Sequence, residues 1–137
     1  RSTGKCFLRD YIAVEDVGTA LFPILIEGQI LGGIVQGISQ ALGESLIYDE
    51  TGQLSTGSFM DYQMPIAADF PKFRIKTYPV KTKINPLGAK GVGESGTVGA
   101  LAATLSAIQD ALKSEGSDAV EMPATPNRIW KKLNNVK

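Results

Sequence analysis

Residues 27–46 read EGQILGGIVQGISQALGESL, and this stretch predicts the main helix of the chain. A branched apolar residue recurs at every fourth position, which is the spacing of one face of an α-helix. These positions are Ile30, Ile34, Ile38, Leu42 and Leu46. The opposite face carries Gln29, Gly33, Gln36 and Gln40. Interior glycines cost a helix roughly 0.5–1 kcal/mol each relative to alanine, so another feature of the fold must offset them.

Two interpretations fit this face of glycines and glutamines. Glycines spaced by four residues commonly mark the close packing of two helices, or of a helix on a sheet. Alternatively, a ligand approaches the glutamines, and Gln29 in the first predicted turn can both donate and accept hydrogen bonds. Composition alone does not separate the two.

The remaining segments predict an α+β fold with a mainly antiparallel or mixed sheet, two main helices and a short C-terminal helix. Strands are expected at 7–17, 54–62 and 73–78, with a hairpin connection at 49–53. A second amphipathic helix follows residue 97, with Ser95 or Thr97 as its N-cap. Thr125 and Pro126 predict the N-cap and first position of the last helix.

Composition excludes several functional classes. The 137 residues suffice for one domain or part of one, and 14 basic residues balance 14 acidic ones, so no net field favours nucleic acid. The absence of histidine and the single Cys6 exclude an internal disulfide, a Cys/His zinc site and a His-dependent triad. Cys6 is expected to be a half-buried small hydrophobe.

No apolar run approaches the roughly 18 residues of a membrane span. Because the chain begins without Met or a signal-like segment, we expect a fragment of a longer, cytoplasmic protein.

Residues 91–96, Gly-Val-Gly-Glu-Ser-Gly, match the dinucleotide-binding pattern G-x-G-x-x-G at the start of a helix. The match is formal, because residues 85–90 separate it from any strand and Glu94 would place a carboxylate beside a pyrophosphate. Glycines also let a backbone approach a bulky ligand, and in that setting Glu94 is a candidate general base. The spacing alone favours a simpler role for Glu94, as a cap or dipole partner of the helix. Nearby lysines are interpreted as a solvated strand face; they are Lys72, Lys76, Lys81, Lys83 and Lys90.

Three motifs in register resemble one known family. They are residues 27–42, residues 56–62 (TGSFMDY) and residues 90–95 (KGVGES), followed by the closing PATP at 123–126. Together they resemble the C-terminal region of the xanthine dehydrogenase/aldehyde oxidase family of molybdenum hydroxylases, and especially bacterial carbon monoxide dehydrogenase-type large subunits. The resemblance extends over nearly the whole chain.

The resemblance implies roles for three residues. Glu94 would be the catalytic base that deprotonates a hydroxyl on molybdenum, whose oxygen then attacks an electron-poor carbon. Gln29 would hydrogen-bond the pterin cofactor, and the backbone at Gly93 would lie against the metal site. On the strength of the resemblance, the catalytic role of Glu94 is preferred to capping.

The resemblance also implies a larger assembly around residues 1–137, which would be the C-terminal segment of a molybdopterin-binding domain. The cofactor would be molybdopterin, in its cytosine dinucleotide form, with molybdenum. Electrons would leave through [2Fe–2S] clusters to FAD on other domains or subunits, in a dimer of heterotrimers. The substrate would be an aldehyde, an N-heterocycle or a similar small molecule. The alternative is a non-catalytic, glycine-rich binding or assembly module on the same scaffold.

Overall fold

The computed structural model describes residues 1–117 and 119–136. The elements in chain order are β1 (Tyr11–Glu15), α1 (Pro23–Leu42), a 3-10 turn (Ala67–Asp69), β2 (Phe73–Thr77), α2 (Ser95–Ser114) and α3 (Pro126–Leu133). Two long helices and one short helix therefore accompany a small sheet, as the sequence predicts. Among these described elements, no helix has the length and apolar character needed to cross a membrane.

The sheet is parallel, so the prediction of a mainly antiparallel or mixed sheet is wrong. β1 and β2 are its two strands, with Tyr11 opposite Phe73 and Glu15 opposite Thr77. The rings of Tyr11 and Phe73 pack edge to face with their centroids 5.8 Å apart. The connection between the strands contains α1, and parallel pairing requires a crossover of this kind.

The predicted strand at 54–62 is also wrong. Only one antiparallel bridge, Tyr48 with Leu54, forms around the turn at 49–53. Beyond it the chain turns locally, because the Ser58 hydroxyl donates to Asp61 at 2.7 Å and the Ser58 carbonyl accepts from Tyr62 N at 2.8 Å. Such local hydrogen bonds offer the backbone an alternative to a strand ladder.

Helix α1 begins and ends four residues earlier than the sequence pattern predicts. Pro23 occupies its first turn, where the missing N–H and fixed φ are tolerated. The helix ends at Leu42, and the Gly43 N–H bonds to Ser39 O. A Cβ on Gly43 would lie 2.5 Å from Gln63 Cδ, so the chain after α1 packs tightly against the helix end.

The predicted caps have mixed outcomes. Glu94, and not Ser95 or Thr97, occupies the N-cap position of α2. The prediction for α3 is confirmed, since Pro126 begins the helix and the Thr125 hydroxyl accepts from Arg128 N at 3.3 Å. Sequence patterns locate a helix start to within a few residues, and such deviations are common.

Two apolar clusters form the core. The three isoleucines of the predicted stripe are buried in the first, where Ile30, Ile34 and Ile38 pack with Ala13 of β1 and Ala100 of α2. The other two predicted positions differ, since Leu42 is only partly buried and Leu46 lies beyond the helix and is exposed. The second cluster joins the C-terminal half of α2 to α3; its buried members are Ile108, Leu112, Val120, Ala124 and Ile129. The first cluster therefore joins α1 to α2 and to β1, which fixes the position of the N-terminal half of α1 relative to the start of α2.

Candidate functional site

Glycines bring α1 and α2 together at the level of their backbones. A Cβ on Gly37 would lie 2.8 Å from Ala100 Cβ, and a Cβ on Gly96 would lie 2.3 Å from Ile30 O. A Cβ on Gly33 would lie 3.0 Å from Thr97 N. Close helix packing therefore accounts for these glycines, in agreement with the first interpretation of the glycine face. As a result, the first turn of α2 lies against the second and third turns of α1.

Gln29 reaches the segment that precedes α2. Its amide Nε2 donates to the carbonyl oxygen of Gly93 at 2.7 Å. This contact places Gln29 and the Gly91–Glu94 loop on the same side of the molecule. This contact is a matter of geometry, and it does not by itself assign a cofactor role to Gln29, Gly93 or Glu94.

An open cleft of about 420 Å³ lies beside this contact, and Gln29 and Gly93 both line it. Its walls are largely apolar; among the other lining residues are Leu21, Phe22, Leu25, Ile26 and Val92. Apart from the glycine and its two chain neighbours, no described heavy atom lies within 4 Å of the position that a Cβ on Gly91 or Gly93 would take. The loop therefore presents bare backbone to open space, as an approaching ligand would require.

Glu94 is exposed at the N-cap position of α2. Its backbone carbonyl accepts from Thr97 N at 3.0 Å and from Val98 N at 3.2 Å. Within the described residues its side chain makes no capping hydrogen bond to the helix. Side-chain capping therefore does not explain the glutamate, although its charge lies at the favourable end of the helix dipole.

The other glutamines of α1 have different surroundings. The Thr97 hydroxyl donates to Gly33 O at 3.0 Å and lies 3.3 Å from Gln36 Oε1. Gln36 and Gln40 are both exposed, and Gln36 is contacted by Thr97 of α2. The face of glycines and glutamines on α1 therefore has two parts: one part packs against α2, and the other, at Gln29, lines the cleft.

Sequence reasoning missed Asp16, which anchors the start of the Gly91–Glu94 loop. Asp16 Oδ2 accepts from Lys90 Nζ at 2.5 Å, and Oδ1 accepts from the Gly18 and Val80 N–H groups, both at 2.9 Å. The Lys90 ammonium foremost, with these two N–H groups, lowers the pKa of the Asp16 carboxyl to about 2. Asp-x-Gly at 16–18 is a local turn signal, but it does not indicate the distant lysine. Lys90 is therefore paired and is not part of a free basic face.

Neither Cys6 nor a metal cluster adds to this site. Cys6 is half-buried beside the second core cluster, and burial raises the pKa of its thiol, as expected for a small hydrophobe. Across residues 1–117 and 119–136, no group of three or more Cys, Asp or Glu side chains is arranged to hold a metal ion.

Comparison with known proteins gives consistent matches. A family model described as the molybdopterin cofactor-binding domain matches residues 1–71. The chain is 45% identical over 127 residues to the nicotine 6-hydroxylase large subunit of Paenarthrobacter nicotinovorans, covering 93% of this chain and 16% of that protein. It is 37% identical over 133 residues to the carbon monoxide dehydrogenase large chain of Hydrogenophaga pseudoflava, covering 97% of this chain and 17% of that protein.

Solved structures agree with these relatives. The Cu,Mo-CO dehydrogenase superposes with a TM-score of 0.92 at 35% identity, over 98% of this chain and 17% of that chain. Quinoline 2-oxidoreductase from Pseudomonas putida 86 superposes with a TM-score of 0.91 at 42% identity, over 97% of this chain and 17% of that chain. The chain thus spans 16% to 17% of the length of these relatives.

Proposed function

This chain belongs to the molybdopterin cofactor-binding domain family, and on that basis we propose that it forms part of the active site of a molybdenum-dependent oxidoreductase. The complete enzyme hydroxylates an aldehyde, an N-heterocycle or a similar small substrate, with water as the source of oxygen. Residues 1–137 are the C-terminal segment of its molybdopterin-binding domain. The hydrogen bond between Gln29 and Gly93 carries this proposal, because it joins two cofactor-binding candidates beside an open cleft.

The residues present fit a pterin cofactor. Gln29 supplies an amide at the edge of the cleft, and an amide can pair with the donor and acceptor groups of a pterin. Gly91 and Gly93 offer backbone without side chains, so a bulky group can approach closely. We assign Gln29 and the backbone of Gly93 to cofactor binding.

Glu94 acts as the general base. Its carboxylate takes a proton from the water-derived oxygen as that oxygen attacks an electron-poor carbon of the substrate. When bound, the molybdenum cofactor supplies the two-electron oxidation of the substrate. Since the Glu94 side chain makes no capping bond within the described residues, it is free to turn toward a substrate.

The further components belong to the complete enzyme. The cofactor is molybdopterin in the cytosine dinucleotide form, and [2Fe–2S] clusters and FAD lie on other domains or subunits. The assembly is a cytoplasmic dimer of heterotrimers. The existence of partner subunits is supported by the named relatives, which include large subunits.

The test is Glu94→Gln in the complete enzyme. The amide preserves size but accepts no proton, so turnover should fall about 100–10,000-fold. Molybdenum content should be unchanged, because the variant alters no proposed cofactor contact. Glu50→Gln, at an exposed glutamate outside the cleft lining, is the matched control and should retain activity.

The measurements are metal analysis and steady-state rates with aldehydes and N-heterocycles, using a dye as electron acceptor. Activity of Glu94→Gln within a few-fold of the unaltered enzyme would refute the assignment. A complete, correctly folded protein that contains no molybdenum would instead favour the non-catalytic assembly module.

A further inference from the structure

A group of contacts that the proposed function does not use holds the start of the Gly91–Glu94 loop. We call it the loop clasp; it joins residues 16–19 to residue 80 and to residues 88–90. Its backbone bonds run from Thr19 N to Gly88 O and from Lys90 N to Val17 O, both at 3.0 Å. Its side-chain centre is the Asp16 carboxylate.

Asp16 joins three separate segments of the chain. One carboxylate oxygen accepts from Lys90 Nζ, and the other accepts from the N–H groups of Gly18 and Val80. Both oxygens are therefore used, and two of the donors come from parts of the chain more than 60 positions away. An ionised carboxylate can do this, since its two oxygens accept several bonds at once.

The clasp requires close approach of two backbones. A Cβ on Gly18 would lie 2.2 Å from Gly88 O, and Gly18 has a φ of 59°. Another residue there would push the two segments apart and would also strain the turn. The separation between residue 18 and residue 88 is therefore fixed.

The loop beyond the clasp packs on the core through Val92, which contacts the first core cluster. Apart from chain neighbours, Gly91 and Gly93 have no described heavy atom within 4 Å of a Cβ position, so the rest of the loop is held at its two ends. The far end is held by Gln29 through Gly93 O and by the close contact of Gly96 with Ile30 O. The near end is held by Lys90 in the clasp.

We propose that Asp16 and Lys90 are positioning residues that set where the Gly91–Glu94 loop begins, and thereby where the Glu94 carboxylate stands relative to substrate. The inference rests on the proposed role of Glu94 as general base. An ion pair with both side chains about one-third exposed contributes little to folding free energy, so its contribution is to geometry. Misplacement of a catalytic group by about 1 Å costs on the order of 100-fold in rate.

The test uses three variants of the complete enzyme and one control. Asp16→Asn and Lys90→Met each remove the ion pair and should lower kcat about 10–100-fold, with KM and molybdenum content unchanged. Lys90→Arg keeps the cation and should retain most of kcat. Asp10→Asn removes the carboxylate that pairs with Arg74 outside the clasp, and should behave as the unaltered enzyme.

A merely structural role would give a different result. Loss of molybdenum and of thermal stability in proportion to kcat would overturn the inference, as would normal kcat in Asp16→Asn. If Asp16→Asn fails to assemble, equal kcat of Lys90→Met and Lys90→Arg would overturn it. Glu94→Gln separates the two proposals: if Glu94→Gln is inactive and both clasp variants are normal, only the positioning inference fails. If Glu94→Gln is active, the proposed function itself fails.

Discussion

Gln29 illustrates how one side chain can tie a helix to a loop. Its amide nitrogen donates a hydrogen bond to Gly93 O at 2.7 Å, although the two residues lie 64 positions apart in the sequence. Asparagine would fall short of this carbonyl by one methylene, and a carboxylate has no proton to donate there. The position therefore depends on both the length and the chemistry of glutamine.

Gln29→Glu should lower the molybdenum content of the complete enzyme. The ionised carboxylate cannot donate to Gly93 O, and the loss of such a bond costs about 0.5–1.5 kcal/mol, with charge repulsion added. Gln40→Glu, at an exposed position of the same helix, is the control. Metal analysis of both variants decides the matter: equal, full occupancy would contradict the proposed contribution of Gln29 to cofactor binding.

Individual site residues differ in how far the sequence predicts them. The helical spacing turns Gln29 away from the buried stripe, and the family motifs single out Glu94. Asp16 could not be found in this way, because its main partner, Lys90, lies 74 positions away. Local patterns report turns and caps, whereas a long-range ion pair appears only when the fold brings the segments together.

At the scale of elements, α1 offers two kinds of glycine for direct comparison. Gly37 packs against α2, whereas a Cβ on Gly32 would meet no described heavy atom within 4 Å apart from its chain neighbours and the backbone of its own helix. Gly32→Ala should therefore stabilise the isolated chain by about 0.5–1 kcal/mol through helix propensity. Gly37→Ala should destabilise it by about 1–2 kcal/mol, because overpacking exceeds the propensity gain.

Urea unfolding of both variants, followed by circular dichroism, measures these free energies. Equal effects of the two substitutions would show that the packing of α1 on α2 does not constrain Gly37. The pair is well matched, since the chemical change and the helix are the same.

The helices are more predictable than the sheet for a physical reason. Helical periodicity is local, so the buried stripe of α1 and the Thr125–Pro126 start of α3 are visible in the sequence. The pairing of Tyr11 with Phe73 joins distant segments. The residues of each strand do not indicate which strand it pairs with, or whether the pairing is parallel or antiparallel. The false strand at 54–62 contains Leu54, Phe59 and Tyr62, but Ser58 and Asp61 close local turns there.

At the scale of the whole molecule, the isolated chain should fold at least in part but bind molybdopterin only weakly. Its two core clusters bury apolar residues from all three helices. At the N-terminal end of α1, four large apolar residues are more than half exposed: Leu21, Phe22, Ile24 and Leu25. The isolated chain should therefore self-associate.

Light scattering coupled to size exclusion, with metal and pterin analysis, measures both outcomes. Ile24→Gln should shift the isolated chain toward monomer while leaving its helix content unchanged. Recovery of stoichiometric cofactor from this chain alone would contradict the expected weak binding, and a strictly monomeric unaltered chain would contradict self-association.

The rigidity of α1 links its exposed apolar end to the loop. Ile24 and Gln29 lie five residues apart on one continuous helix, which is about 7.5 Å along its axis. A helix is stiff over so short a length, so it moves as a rod. The exposed apolar end of α1 and the Gln29 amide that donates to Gly93 O therefore belong to one rigid segment.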